Sequence, residues 1–436
     1  YLLSDDEEVL ISKLVNTGSK AWIKLYDKLV SSLLVDLDNK KLPLSVVRNM
    51  AYENDGDLRK KAYEAELKSY EKIEDSIAAC LNGIKGEVIT ISDMRGFSSP
   101  LDETLINSRM DKETLDTMMN AVVENLPVFH KYFKRKSELL GHKNGLPFYD
   151  LFAPIGNVDM KFTYEQAQDF ILENFKTFSP KLSDFAHNAF KNKWIDALPK
   201  KGKSGGAFCA SIHSIRESRI LTNFDGSFSS VTTLAHELGH AYHGSLLVNE
   251  TMLNTLYPMP IAETASTFCE TIVINAALKE ANDSESLSIL ESLVSDYGQI
   301  IADIYSRYLF ETEVFEKRKE AALSVDELKE IMTKAQTKAY GDGLDNSYLH
   351  PYMWIAKSHY YSNSRSFYNF PYTFGLLFAK GLYSQYLKVG DDFVKEYDKL
   401  LSYTGKDNIY NICKSVGFDI HSIDFWKDSL SLIESD

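Results

Sequence analysis

The sequence predicts a mainly α fold with a small β region, and three observations carry that reading. Long windows place apolar residues at three-to-four spacing behind capping residues. Strand-like alternation is confined to a few short stretches between glycine-bearing turns. No segment repeats at the roughly 20–50-residue periods of solenoids or propellers. The 436 residues are 44% hydrophobic and 25% charged, an ordinary globular balance, and no apolar run reaches the roughly 18 residues that a spanning helix needs. Lys and Arg total 48 against 62 Asp and Glu, a net charge of -14. That balance disfavours nucleic acid as a partner, and the missing apolar run disfavours a membrane.

Taken in order, Ser4 and Glu7 form an S-x-x-E capping box ahead of an apolar-periodic stretch, so the chain opens in a helix. The opening YLLSDDEEVLISKLV has neither an initiator Met nor the basic start and apolar core of a signal peptide, which reads as a trimmed chain. Residues 1–75 are expected to be the remnant of an N-terminal helical region and residues 76–436 one catalytic domain, since no Pro- or Ser-rich linker divides the chain. GEVITISD, around Val88–Ile91, reads as a strand, as do GAFCASIH and SRILTNFDG, where β-branched and aromatic residues alternate. Helical periodicity returns from Ser284 to Arg318 and again from Ser324, whose S-x-x-E box opens a helix toward Gly341. The four cysteines, Cys80, Cys209, Cys269 and Cys413, are widely spaced and form no C-x-x-C pair. A reducing, cytoplasmic setting is expected.

The chemistry concentrates in residues 232–243, TTLAHELGHAYH. His236 and His240 stand four apart and share a helical face, so one turn can bring both imidazoles to the same tetrahedral ion at about 2.0–2.1 Å. Glu237 projects beside the first histidine, toward a metal-bound water. Ser230 is placed to cap this helix, and Leu234, Leu238 and Ala241 form a stripe opposite His236, His240 and His243. The bland alternative is a core helix whose histidines are satisfied by neighbouring polar groups.

A catalytic zinc takes three protein ligands and keeps one open position. The HExxHxxGxxH arrangement is excluded, because Leu246 stands where its third histidine would be. His243, almost two turns beyond His236, suits packing or support of a ligand better than coordination. Glu250 lies in a polar loop-like stretch, whereas Glu263 follows Pro258 and Pro260 at the start of a helical pattern, IAETASTFCETIVINAAL. A second helix laid on the first could present Glu263 to the metal and Glu270, two turns on, to a ligand imidazole. Glu263 is equally readable as a first-turn carboxylate favoured by the helix dipole.

HELGHAYH followed by IAETAS resembles the zinc helix and third-ligand helix of the thimet-oligopeptidase-like metallopeptidases, and of their oligoendopeptidase F branch in particular. RGFSSPLDETL near Arg95, LPFYDLFAPIG near Tyr149, KWIDALPKKGKSGGAFCASIH from Lys193 and FYNFPYTFG from Phe367 are similar to that branch in the same order. The resemblance implies a large helical metallopeptidase with two lobes around a deep channel and a small β-sheet beside the zinc helix. It implies one zinc ion per chain held by His236, His240 and Glu263, with Glu237 as general base and Glu270 supporting a ligand. The segment HYYSNSRSFYNFPY implies His359, Tyr368 and Tyr372 as further catalytic residues, while Tyr361 reads as aromatic packing. The SNSRS stretch departs from the Gly-rich loop of thimet oligopeptidase.

The expected activity is zinc-dependent endopeptidase cleavage of short peptides. Glu237 would take a proton from the attacking water and deliver one to the leaving amine, with His359 and Tyr372 as donors to the oxyanion. The strand Ile220–Phe224 is expected to offer backbone groups to an extended peptide, and the loop Gly202–Gly206 either to close over it or to form a plain turn. Two alternatives stand beside this reading: a peptidyl-carboxypeptidase of the same fold, and a catalytically silent peptide-binding protein.

Overall fold

Helices begin where the capping residues stand. Ser4 and Ser324 accept from the backbone N–H of Glu7 and Glu327, whose side chains reach back to the caps, opening helices Asp5–Leu14 and Val325–Tyr340. The second stops at Gly341, as its sequence indicates. The computed structural model describes residues 1–156 and 160–435. Helices dominate throughout it, and the strands form two small sheets. Among the described residues no helix is long and apolar enough to cross a membrane. Two compact units are distinguishable, one made of Tyr1–Asn107, Val123–Ile155 and Ser295–Phe370, the other of Ser108–Val122, Gly156–Val294 and Pro371–Asp436.

In the first unit the stretch GEVITISD is helical, which corrects the expectation of a strand at Val88–Ile91. It lies inside helix Glu74–Arg95, where Ile77, Leu81, Ile84, Val88 and Ser92 are buried at three-to-four spacing and Gly96 ends the helix in the left-handed region. Burial along that stripe outweighs the modest helix penalty of Val, Ile and Thr. A hairpin that the sequence reading passed over joins β1 (Leu34–Leu37) to β2 (Lys40–Pro43). Its two turn residues, Asp38 and Asn39, both have positive φ, 48° and 62°, the geometry of tight type I′ turns. The periodic stretch Ser284–Arg318 is helical but interrupted. Helix Asp283–Gly298 passes through a π turn at Gln299–Asp303 into helix Ile304–Arg318.

Helices Glu74–Arg95 and Ile304–Arg318 are joined by a buried ion pair, Lys85 Nζ to Glu311 Oε1 at 2.6 Å. The other carboxylate oxygen of Glu311 accepts from the Phe367 N–H at 3.0 Å. Phe367 has φ 53°, a conformation costly for a bulky side chain. The pair therefore anchors the turn that precedes Tyr368.

In the second unit β5 (Glu217–Leu221) lies between β3 (Ile195–Asp196), parallel to it, and β4 (Phe208–Ile212), antiparallel to it. Both expected strands upstream of the histidine motif are present. The backbone of Ile220–Phe224 is already used, however: the N–H groups of Ile220, Thr222 and Phe224 donate to Trp194, Asp196 and Ala197 at 2.8–3.0 Å. β5 is the central strand, and the five-residue β4 is the longer of the two edge strands, β3 and β4.

The histidine motif lies on helix Phe228–Leu246. Its cap is Ser227 and not Ser230: Ser227 has extended backbone angles, and its Oγ accepts from the Ser230 N–H at 3.2 Å. Ser230 is thus the donor in the capping bond.

Lys85→Met leaves the buried Glu311 carboxylate without its counter-charge and is expected to destabilise the chain by about 3–5 kcal/mol in denaturant unfolding. Unchanged stability would show that the pair contributes nothing to holding the two helices.

Candidate metal centre

The back of helix Phe228–Leu246 is packed: Val231, Leu234, Ala235, Leu238 and Ala241 are fully buried. Helix Thr264–Glu280 lies against it, and their contact passes through Gly239. A Cβ at Gly239 would stand 2.5 Å from the Ala265 carbonyl oxygen and 2.7 Å from Ser266 Cα, so only glycine permits this approach. Glu263 sits at the junction between helix Met259–Ala262 and helix Thr264–Glu280. Gly375, on helix Phe370–Val389, backs it, since a Cβ there would lie 2.9 Å from Glu263 Cβ. Ser266 Oγ donates to Glu263 Oε2 at 3.0 Å.

These constraints bring three donor atoms together. His236 Nε2 is 3.1 Å from His240 Nε2, and Glu263 Oε2 is 3.3 Å from the first and 3.4 Å from the second. Ligands around a tetrahedral zinc at about 2.0–2.1 Å stand about 3.3–3.4 Å apart, so this triangle fits three corners of such a site. Among the described residues, no other group of three or more His, Cys, Asp or Glu side chains meets the same spacing. Glu237 is buried beside the two histidines, and its Oε2 has no hydrogen-bond partner. Glu270 Oε1 lies 3.1 Å from His236 Nδ1, the relation by which an outer carboxylate orients a ligand imidazole.

Electrostatics match the geometry. Burial pulls the His236 imidazole down, but its bonds to Glu263 and Glu270 outweigh that and lift it to about 10. Burial would likewise raise Glu263, yet His236 and His240 hold it well below the usual carboxylate range. A cation held by His236, His240 and Glu263 would take the place of that imidazolium proton. Burial raises Glu237, with His236 and His240 opposing and Glu263 and Glu270 reinforcing. An elevated carboxylate is better matched to taking up a proton near neutral pH.

The remaining candidates lie elsewhere. His243 is fully buried, stacked on Tyr257 with ring centroids 4.2 Å apart. Its Nε2 is 2.8 Å from Thr404 Oγ1, and that hydroxyl donates to Leu401 O, so the imidazole N–H is the donor. Burial holds His243 down near 3, and it belongs to the core, not to an open histidine face. Glu250 is paired with Lys406 at 2.7 Å. Tyr361 is buried and donates to Trp354 O at 3.1 Å, as packing requires. His359 and Tyr368 belong to the first unit, their rings 4.8 Å apart. Burial, then the charges of Arg307, Lys357 and Arg365, keep His359 below its ordinary value. Tyr372 belongs to the second unit, on helix Phe370–Val389. Sequence reasoning missed Ser266 and Gly375, although the glycine that ends FYNFPYTFG was visible.

A helix carrying two histidines and a free carboxylate, met by a carboxylate from a second helix, defines the class of metal-dependent hydrolase sites built on H-E-x-x-H. The chain belongs to Peptidase family M3, whose sequence pattern matches residues 49–432. It is similar to the group B oligopeptidase PepB of Streptococcus agalactiae, 26% identical over 417 residues that cover 91% of this chain and 68% of that one. It is also similar to the oligopeptidase PepF of Bacillus subtilis, 24% identical over 436 residues, covering 97% and 64%. The chain thus spans about two thirds of the length of these relatives. In fold it resembles a solved chain from Chlamydophila abortus, with a TM-score of 0.87 at 22% identity, covering 100% of this chain and 75% of that one. It also resembles oligoendopeptidase-F from Enterococcus faecium, with a TM-score of 0.77 at 20% identity, covering 99% and 73%.

Gly239→Ala tests the helix contact. Alanine gains about 1 kcal/mol of helix propensity, but the atoms it meets are backbone, and overpacking costs typically 1–3 kcal/mol or more. A lower melting temperature and zinc affinity reduced at least tenfold in chelator competition are expected. Unchanged values for both would remove Gly239 from the account.

Proposed function

We propose that this chain is a zinc-dependent endopeptidase of short oligopeptides, with His236, His240 and Glu263 holding one zinc ion and Glu237 as general base. The observation that carries this reading is the near-equilateral N, N, O triangle beside a buried carboxylate oxygen that has no other partner. A zinc ion held there supplies Lewis acidity, polarising a carbonyl and making water acidic enough to deprotonate near neutral pH. Glu237 takes the proton from the attacking water and passes it to the leaving nitrogen. Glu270 keeps the His236 ring oriented. The open edge of β4 is suited to an extended peptide, which could add to the sheet as a further strand. His359, Tyr368 and Tyr372 carry donors suited to a developing oxyanion, the role that the family resemblance implies for this segment.

The relatives' names, oligopeptidase and oligoendopeptidase F, support internal cleavage of short peptides over removal of C-terminal pieces. Retention of Glu237 speaks against a silent binding protein, which has no need of it. The four cysteines are free, in keeping with a reducing, cytoplasmic setting.

A quenched peptide blocked at both ends provides the test. Zinc chelation is expected to abolish its cleavage, and Glu237→Gln to lower kcat by about 10²–10⁴-fold with zinc content and melting temperature retained. Undiminished turnover by the zinc-loaded variant would contradict the mechanism. Cleavage only of peptides with a free C-terminus would replace the endopeptidase reading with the carboxypeptidase one.

A further inference from the structure

The first unit contains a cavity of about 340 Å³ whose lining does not include His236, His240 or Glu263. Small-ligand pockets start at about 300 Å³. Arg48, Arg59 and Lys357 line it together with Glu66 and Asp303, and each carboxylate around it already has a nearer partner than Lys357. Arg59 is paired with Asp150 at 2.7 Å. Glu66 accepts from the Tyr70 hydroxyl at 2.8 Å and faces Arg48 Nε at 3.3 Å. Asp303 is paired with Arg307 and accepts from the Tyr340 hydroxyl at 3.3 Å. Among the residues that line the cavity, three cations stand with two carboxylates.

The cation without a close counter-charge is Lys357. Its Nζ has Asp303 at 4.0 Å and no hydrogen-bond acceptor among the described residues, although its side chain is only 20% exposed. Burial draws the ammonium down to about 8, the response of a cation whose lost hydration is not replaced.

Two further observations converge on the same cavity. His350 lines it, is 2% exposed, and its Nδ1 has no hydrogen-bond partner among the described residues. The π turn Gln299–Asp303 brings both of its end residues to the lining, and π turns inside long helices recur at functional sites. The apolar part of the lining is largely aromatic, including Phe148 and the adjoining rings of Tyr52 and Phe152, 5.0 Å apart.

We infer that this cavity binds a monocarboxylate carried on a small aromatic or apolar body, its carboxylate taken by Lys357 and Arg48. One ammonium without a close counter-charge suits a monoanion. A dianion such as phosphate would bring a second negative charge against Glu66 and Asp303. The aromatic lining supplies the reason for an apolar body in place of a bare ion. The inference concerns the first unit alone.

Calorimetric titration of the zinc-loaded chain with N-acetyl-L-phenylalanine and with its amide tests it. The acid is expected to bind at least tenfold more tightly than the amide, and inorganic phosphate at equal concentration to leave the acid in place. Lys357→Met should weaken the acid at least tenfold and Lys357→Arg should restore it. A carboxylate bound at the metal instead would be indifferent to Lys357→Met, and that result overturns the assignment. Tyr52→Ala, at an exposed ring, gives a second test of location should Lys357→Met fold poorly: it should weaken the aromatic acid, and no effect overturns the inference. Equal affinity for acid and amide, or displacement by phosphate, overturns it as well.

Discussion

Everything in the metal centre depends on two helices approaching until a backbone carbonyl of one meets the Cα of a glycine in the other. Gly239 lies between His236 and His240, so the place where the helices touch is also the place where the two imidazoles are presented. Ala265 and Ser266, the residues that fill that contact, immediately follow Glu263. Close packing thus sets the position of the Glu263 carboxylate relative to the two imidazoles. Gly375 presses on Glu263 from another helix, leaving the carboxylate little freedom to swing away. A donor set held by packed backbone loses less entropy on taking up an ion than one carried on a loop.

The same packing explains the electrostatics. Three carboxylates, Glu237, Glu263 and Glu270, are gathered around His236 and His240, and desolvation opposes charge on each buried group. Glu263 is compensated by both imidazoles and stays ionised, whereas Glu237 is compensated less and rises. Two glutamates in one site are in this way driven apart in proton affinity, as the proposed roles of ligand and base would require. In the first unit, the buried pair of Lys85 and Glu311 instead supports a strained residue, Phe367, and through it the segment that carries Tyr368.

The mainly α fold and the histidine helix were legible because their signals are local: three-to-four periodicity, capping boxes at Ser4 and Ser324, and two histidines one turn apart. The choice between Glu263 and a dipole-favoured carboxylate was not legible from spacing, because it depends on how close the two helices come. Gly239 hinted at that closeness, but what it touches is 26 residues further along the chain. GEVITISD misled because eight residues of alternation cannot reveal a buried stripe that begins at Ile77, and the Ile220–Phe224 edge misled because strand order is a tertiary fact. The Asp38-Asn39 turn was readable and was passed over. His243 looked like part of a histidine face, and only the packing of Tyr257 and Thr404 around it makes it a core residue.

The most direct measurement of the central claim is X-ray absorption at the zinc edge of the metal-loaded chain. The account predicts a first shell of nitrogen and oxygen at about 2.0–2.1 Å with the outer-shell scattering of two imidazoles, reduced to one by His240→Ala. A sulfur shell near 2.3 Å, or scattering from two imidazoles that survives His240→Ala, would contradict it.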